Sequence, residues 1–117
     1  MDFHDRLKLK MHKYVKHVYK TTKSFPKDEL YGVTSQLRRA SLSVILNYIE
    51  GYARRKNKKC KIYKNFLEIS YGSLREAKYL IYFSYTEEYL NENDYKILIK
   101  LADDIGGMVW GIIRELS

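Results

Sequence analysis

Acidic residues are scarce in the first half of this sequence. None occurs between Asp5 and Asp28, and residues 1–64 hold 17 Lys or Arg against five acids, a balance of +12. Residues 65–117 hold five Lys or Arg against nine acids, so the net charge of +8 is unevenly spread. Cysteine occurs once, as Cys60, which excludes an internal disulfide and points to a reducing compartment. Proline also occurs once and glycine six times, too few for a linker or a low-complexity tract. Apolar runs stay well short of the roughly 18 residues that a membrane span needs. The opening MDFHDRLKLK is charged from its second residue and has no apolar core of a secretory signal. A cytoplasmic protein with no membrane partner is therefore expected. At 117 residues, one domain over 1–117 is expected, large enough to bury a core without a metal.

Strand signals are missing as well: there is no sustained alternation and no Asn-Gly or Asp-Gly turn. What is present is helical periodicity in four segments. The first runs from about Asp5 to Ser24, with Leu7, Met11, Tyr14, Val15, Val18 and Tyr19 at helical spacing, and Phe25-Pro26 stops it. The second starts between Asp28 and Ser35 and reaches about Ala53. The third runs from near Lys59 to about Thr86, with Ile62, Phe66, Ile69, Ser73, Ala77 and Leu80 on one stripe. The fourth opens at Asn91 as N-cap, with Asp94 favourable to the helix N-terminus. Four helices with short connections predict an all-α, antiparallel up-down four-helix bundle.

The second helix carries a polar stripe, Gln36, Arg39, Ser43, Asn47, Glu50 and Arg54, within an arc of about 80°. Leu37, Ala40, Val44 and Tyr48 flank it on one side; Leu42, Ile45, Leu46, Ile49 and Ala53 flank it on the other. One apolar face suffices for a lone bundle, so the second predicts contact with another copy. A hydrogen-bonded set of Arg39, Asn47 and Glu50, followed by Gly51, is expected to be structural, fixing the register of the assembly.

Cations cluster in two places. Arg54, Arg55, Lys56, Lys58, Lys59, Lys61 and Lys64 crowd the connection between the second and third helices. Along the first helix Arg6, Lys10, Lys13, Lys16, Lys20, Lys23 and, beyond the break at Pro26, Lys27 recur every three or four residues. Like charges at this density repel, and a polyanion relieves them; Arg54–Lys64 is the predicted contact, with Lys13, Lys16 and Lys20 in support.

No chemistry competes with binding. His4, His12 and His17 are spaced by eight and five and miss the spacing that converges imidazoles on a metal, so surface positions are expected. The pairs Glu87-Glu88 and Asp103-Asp104 diverge on a helix. Lysines near Cys60 are placed to lower its pKa, but no base accompanies it. Neither a catalytic residue, a metal nor a cofactor is predicted.

FPKDELYGVTSQLRRASLSVILNYIEGYARR, then YGSLREAKYLI and a final IGGMVWGII, closely resembles the 23S ribosomal-RNA intervening-sequence proteins over Phe3 to Ile113. The most specific matches are Phe25-Pro26, Thr34 to Arg39, Asn47-x-x-Glu50-Gly51 and Gly72-Ser73-Leu74. The resemblance implies a four-helix bundle assembled as a homopentamer, with RNA or another nucleic acid as the expected partner. The accessory proteins of diversity-generating retroelements look like the same fold and oligomer, which adds a reverse transcriptase as a partner. An adaptor or scaffold docking such a protein is the alternative function.

Overall fold

A computed structural model describes residues 1–56 and 60–117. Its regular elements are α1 (Phe3–Thr22), α2 (Ser35–Ala53), α3 (Lys61–Thr86) and α4 (Glu92–Glu115), and no strand occurs among the described residues. Helix α1 starts where Asp2 accepts a hydrogen bond from the Asp5 amide at 2.8 Å. It buries Leu7, Met11, Tyr14 and Val18. It ends two residues before the expected Ser24, where the hydroxyls of Thr21 and Thr22 both donate to the Val18 carbonyl, offering the last turn an alternative to its own ladder.

Between α1 and α2 the chain makes a 3-10 turn at Lys27–Glu29 and a wide turn at Leu30–Thr34. Glu29 organises both. One carboxylate oxygen accepts from the Val33 amide at 3.4 Å, and the other accepts from the Tyr89 hydroxyl at 3.0 Å. A Cβ on Gly32 would stand 2.5 Å from that first oxygen, so only glycine leaves the carboxylate in place. Glu29→Ala should therefore cost about 1 kcal/mol, seen as a lower Tm in thermal denaturation. Tyr89→Phe should cost less, because Val33 keeps its partner.

Helix α2 buries Leu37, Ala40, Val44 and Tyr48, the first of its two apolar faces. Helix α3 corrects the expected stripe. Its buried residues are Tyr63, Leu67, Ser70, Leu74, Ala77, Ile81 and Ser84, whereas Ile62 and Ile69 face solvent and Phe66 and Ser73 are half-buried. Ser70 stands on this inner stripe where α2 passes close by, and its hydroxyl donates to the Val44 carbonyl at 2.6 Å; Ser84 donates to the Leu80 carbonyl of its own helix. A bulky side chain at Ser70 would push α2 away. Helix α4 begins as expected, with Asn91 accepting from the Asp94 amide at 2.7 Å.

The four helices share one core, and the molecule measures 46 × 26 × 19 Å. The first turn of α1 meets the end of α2 through His4 and Tyr48, and its last turn meets the start of α2 through Thr22 and Arg38. Outside this core α2 and α3 each expose aliphatic side chains. Leu46, Ile49, Ile62 and Ile69 are each 46–58% exposed. No helix among the described residues is long and apolar enough to cross a membrane.

Candidate nucleic-acid interface

The C-terminal end of α2 and the start of α3 place the expected cations at one end of the bundle. Lys58 and Lys59 lie outside the described residues. Arg54 is engaged within the chain. It pairs with Glu50 at 2.7 Å, one turn back, and lies over the Phe66 ring at 5.4 Å. Arg55 folds over the Tyr52 ring at 3.4 Å and donates to the Tyr52 carbonyl at 2.6 Å. Both guanidinium groups are thereby oriented while their residues stay exposed. Lys56 and Lys61 are exposed and Lys64 is half-buried.

An aromatic cluster supports this end. His4 Nδ1 is hydrogen-bonded to the Tyr48 hydroxyl, and its ring packs on Tyr52 at 4.3 Å between centroids. Burial, and then the charge of Arg55, hold His4 below the ordinary histidine range, so a neutral ring is favoured. Cys60 caps α3 with its thiol held below the usual range. The first cause is the Tyr63 backbone amide at the helix N-terminus; the charge of Lys56 ranks last.

The lysines of α1 do not merge with this group. Lys13, Lys16 and Lys20 are exposed, but Lys20 stands about 24 Å along the helix from His4 at 1.5 Å per residue. It therefore belongs to the opposite end of the bundle, near Thr22 and Arg38. Lys10, in the same stripe, is partnered across the fold by Asp104 at 3.6 Å.

The expected set of Arg39, Asn47 and Glu50 does not form. Asn47 donates to the carbonyl and the hydroxyl of Ser43, each at 2.9 Å, and Ser43 meets Ser73 of α3 at 2.8 Å. Glu50 turns instead to Arg54, and Arg39 is exposed with no side-chain partner among the described residues. The reason is distance: eight residues separate Arg39 from Asn47, about 12 Å of helix rise. The Ser43–Asn47–Ser73 set registers α2 against α3 within one chain.

A family model, 23S rRNA-intervening sequence protein, matches residues 6–111. The chain belongs to that family. A solved structure from Bacteroides thetaiotaomicron, described as a protein of unknown function from the S23 ribosomal protein family, superposes with a TM-score of 0.82 at 17% identity. It covers 92% of this chain and 98% of its own. At that identity the likeness concerns the fold. No curated protein matches the chain.

In this intervening-sequence protein two histidines are placed differently from the surface expectation. His4 is partly buried on Tyr48, and His17 pairs with Asp94 at 3.0 Å between α1 and α4. Only His12 is exposed. The signal for His4 was present: it extends the three-and-four spacing of Leu7, Met11, Tyr14 and Val18 one step back. The partners Asp94, Asp104 and Ser73, on other helices, have no such signal, because residues from distant helices meet only in the fold.

Proposed function

We propose that this chain is a non-catalytic, homo-oligomeric bundle of antiparallel helices that binds nucleic acid, RNA first. The contact is the Arg54–Lys64 end, and Lys13, Lys16 and Lys20 of α1 form a second, separate group of exposed cations. The observation that carries this reading is the cluster of exposed cations at the α2–α3 end. Among the described residues, Glu50 is the one acid paired with them, and it engages only Arg54. The family's printed name favours RNA as the polyanion.

Self-association rests on the aliphatic surface of α2 and α3, where Leu46, Ile49, Ile62 and Ile69 stand in water. Five copies is the number implied by the resemblance. Assembly gathers several cationic ends on one particle and raises affinity through avidity.

Filter binding of a labelled RNA across salt tests the reading. With four to six phosphate contacts, log affinity should fall against log salt with a slope of about −3 to −5. Reversing charge at Arg55, Lys56 and Lys61 together should weaken binding by at least about tenfold and flatten that slope by about three. Unchanged affinity would sink the assignment. Retention of an acidic protein by a preparation that binds no RNA would turn it toward an adaptor.

A further inference from the structure

The cationic end offers nucleic acid charge but few free rings. Tyr63 is buried and Tyr52 lies beneath Arg55. Open rings lie elsewhere, along the seam of α3 and α4. At 100° per residue, Lys64, Tyr71, Arg75 and Tyr82 fall within an arc of about 40° on α3, so cations and aromatics alternate along one line. Across the seam α4 adds Trp110 and, one turn on, Arg114.

Tyr71 is half-buried against the core, but Trp110 and Tyr82 do not sink into the protein. Lys78 bridges to Asp103 at 2.7 Å, and Leu74 packs beneath Gly106, so the seam is already closed under them. Trp110 is 48% exposed and Tyr82 53% exposed. Tyr71 and Trp110 stand 5.5 Å apart with a 52° tilt, neighbours rather than a closed stack. Acids are few on this face: Asp103 is engaged by Lys78, and Glu68 lies at its edge. Leu46, Ile49, Ile62 and Ile69 are by contrast aliphatic, which suits another copy. Exposed aromatic rings interleaved with arginine and lysine suit unpaired bases on an anionic backbone, because every base has a ring face and every linkage a charge.

We propose that the α3–α4 seam is a stacking platform for single-stranded nucleic acid. Trp110 and Tyr82 take bases, Tyr71 backs Trp110 from the seam, and Lys64, Arg75 and Arg114 take phosphates. This rests on the nucleic-acid reading above and narrows it to strands with unpaired bases. Duplex, whose bases are already stacked, contacts only the cations.

Trp110 is the sole tryptophan beside 12 tyrosines, so emission excited at the red edge, beyond tyrosine absorption, reports on this face alone. The full-length protein is titrated with a labelled oligouridylate of about 20 nucleotides and, separately, with a duplex of equal length; anisotropy reads binding and Trp110 emission reads stacking. The oligouridylate should quench Trp110 saturably, at the same concentrations that raise anisotropy. Duplex should raise anisotropy and leave emission unchanged. Trp110→Leu and Tyr82→Ser should each weaken oligouridylate binding about tenfold or more, with duplex binding and helical circular dichroism retained. Tyr82 makes no aromatic contact among the described residues, so its variant tests the idea even if the Trp110 variant loses stability. Oligouridylate binding with unchanged emission, or with wild-type affinity in both variants, overturns the platform and leaves the phosphate-binding function standing. Shielding of Trp110 from acrylamide in the free protein overturns it too, by showing that another copy occupies the face. Failure to bind either ligand overturns both proposals.

Discussion

Leu67→Ala should destabilise the protein by about 2–5 kcal/mol, while Ile69→Ser, two residues along the same helix, should change monomer stability by under about 0.5 kcal/mol. Leu67 is fully buried, so truncation removes apolar burial and leaves a cavity that a tightly packed core cannot fill. Ile69 is 51% exposed and loses little in a lone chain. Its contribution is to the aliphatic surface, so the serine variant should instead shift the oligomer toward smaller species. Denaturant midpoints measured beside light scattering separate the two effects. Similar losses of midpoint in both variants would contradict the inner and outer stripes of α3 described above.

Gly51→Ala should be the second severe substitution, although it adds a single methyl group. The new Cβ would stand 2.7 Å from Phe66 Cβ and 3.2 Å from Tyr63 Cδ1. The first contact lies at the root of a side chain, so relief requires α3 to move as a backbone. Overpacking of this kind costs about 1–3 kcal/mol, which exceeds the helix propensity that alanine gains over glycine, about 1 kcal/mol. A Tm several degrees lower in calorimetry is expected. Gly107→Ala is the matched control. Nothing lies within 4 Å of a Cβ there, so propensity acts alone and stability should rise by about 0.5–1 kcal/mol. A rise at Gly51 as well would show that α2 and α3 do not approach as described. Gly51 was expected to be structural, but the close approach of Phe66 that makes it so has no mark in the sequence.

That pair illustrates how far the chain could be read before folding. Helix number and bounds were legible to within two or three residues, because Asn91, Pro26 and the apolar spacings act on neighbouring backbone. The buried face of α1 was legible for the same reason. The buried face of α3 was not, because two apolar stripes share its periodicity, and the one richer in isoleucine is the outer one. The inner one carries Ser70, which admits α2, a fit to a partner helix rather than a hydropathy signal.

The candidate site divides in the same way. The run of cations from Arg54 to Lys64 is a property of adjacent residues and appears in the sequence unaltered. Its pairing with Glu50, the folding of Arg55 on Tyr52, and its distance from Lys20 are not. The polar stripe of α2 was expected to close on itself through Arg39, Asn47 and Glu50. It closes instead through Ser43 and Ser73, because a side chain reaches one turn along its own helix or across to the next, and not two turns.

The sequence by itself determined that this chain makes four helices, bears its positive charge in the first half, and belongs among the intervening-sequence proteins. Those properties follow from spacing and composition along a single thread. Which stripe of α3 is inside, which glycine is indispensable, and which rings remain in water were decided by the tertiary structure. Each depends on what a neighbouring helix brings to the contact, and residues far apart in the chain acquire that relation only by packing.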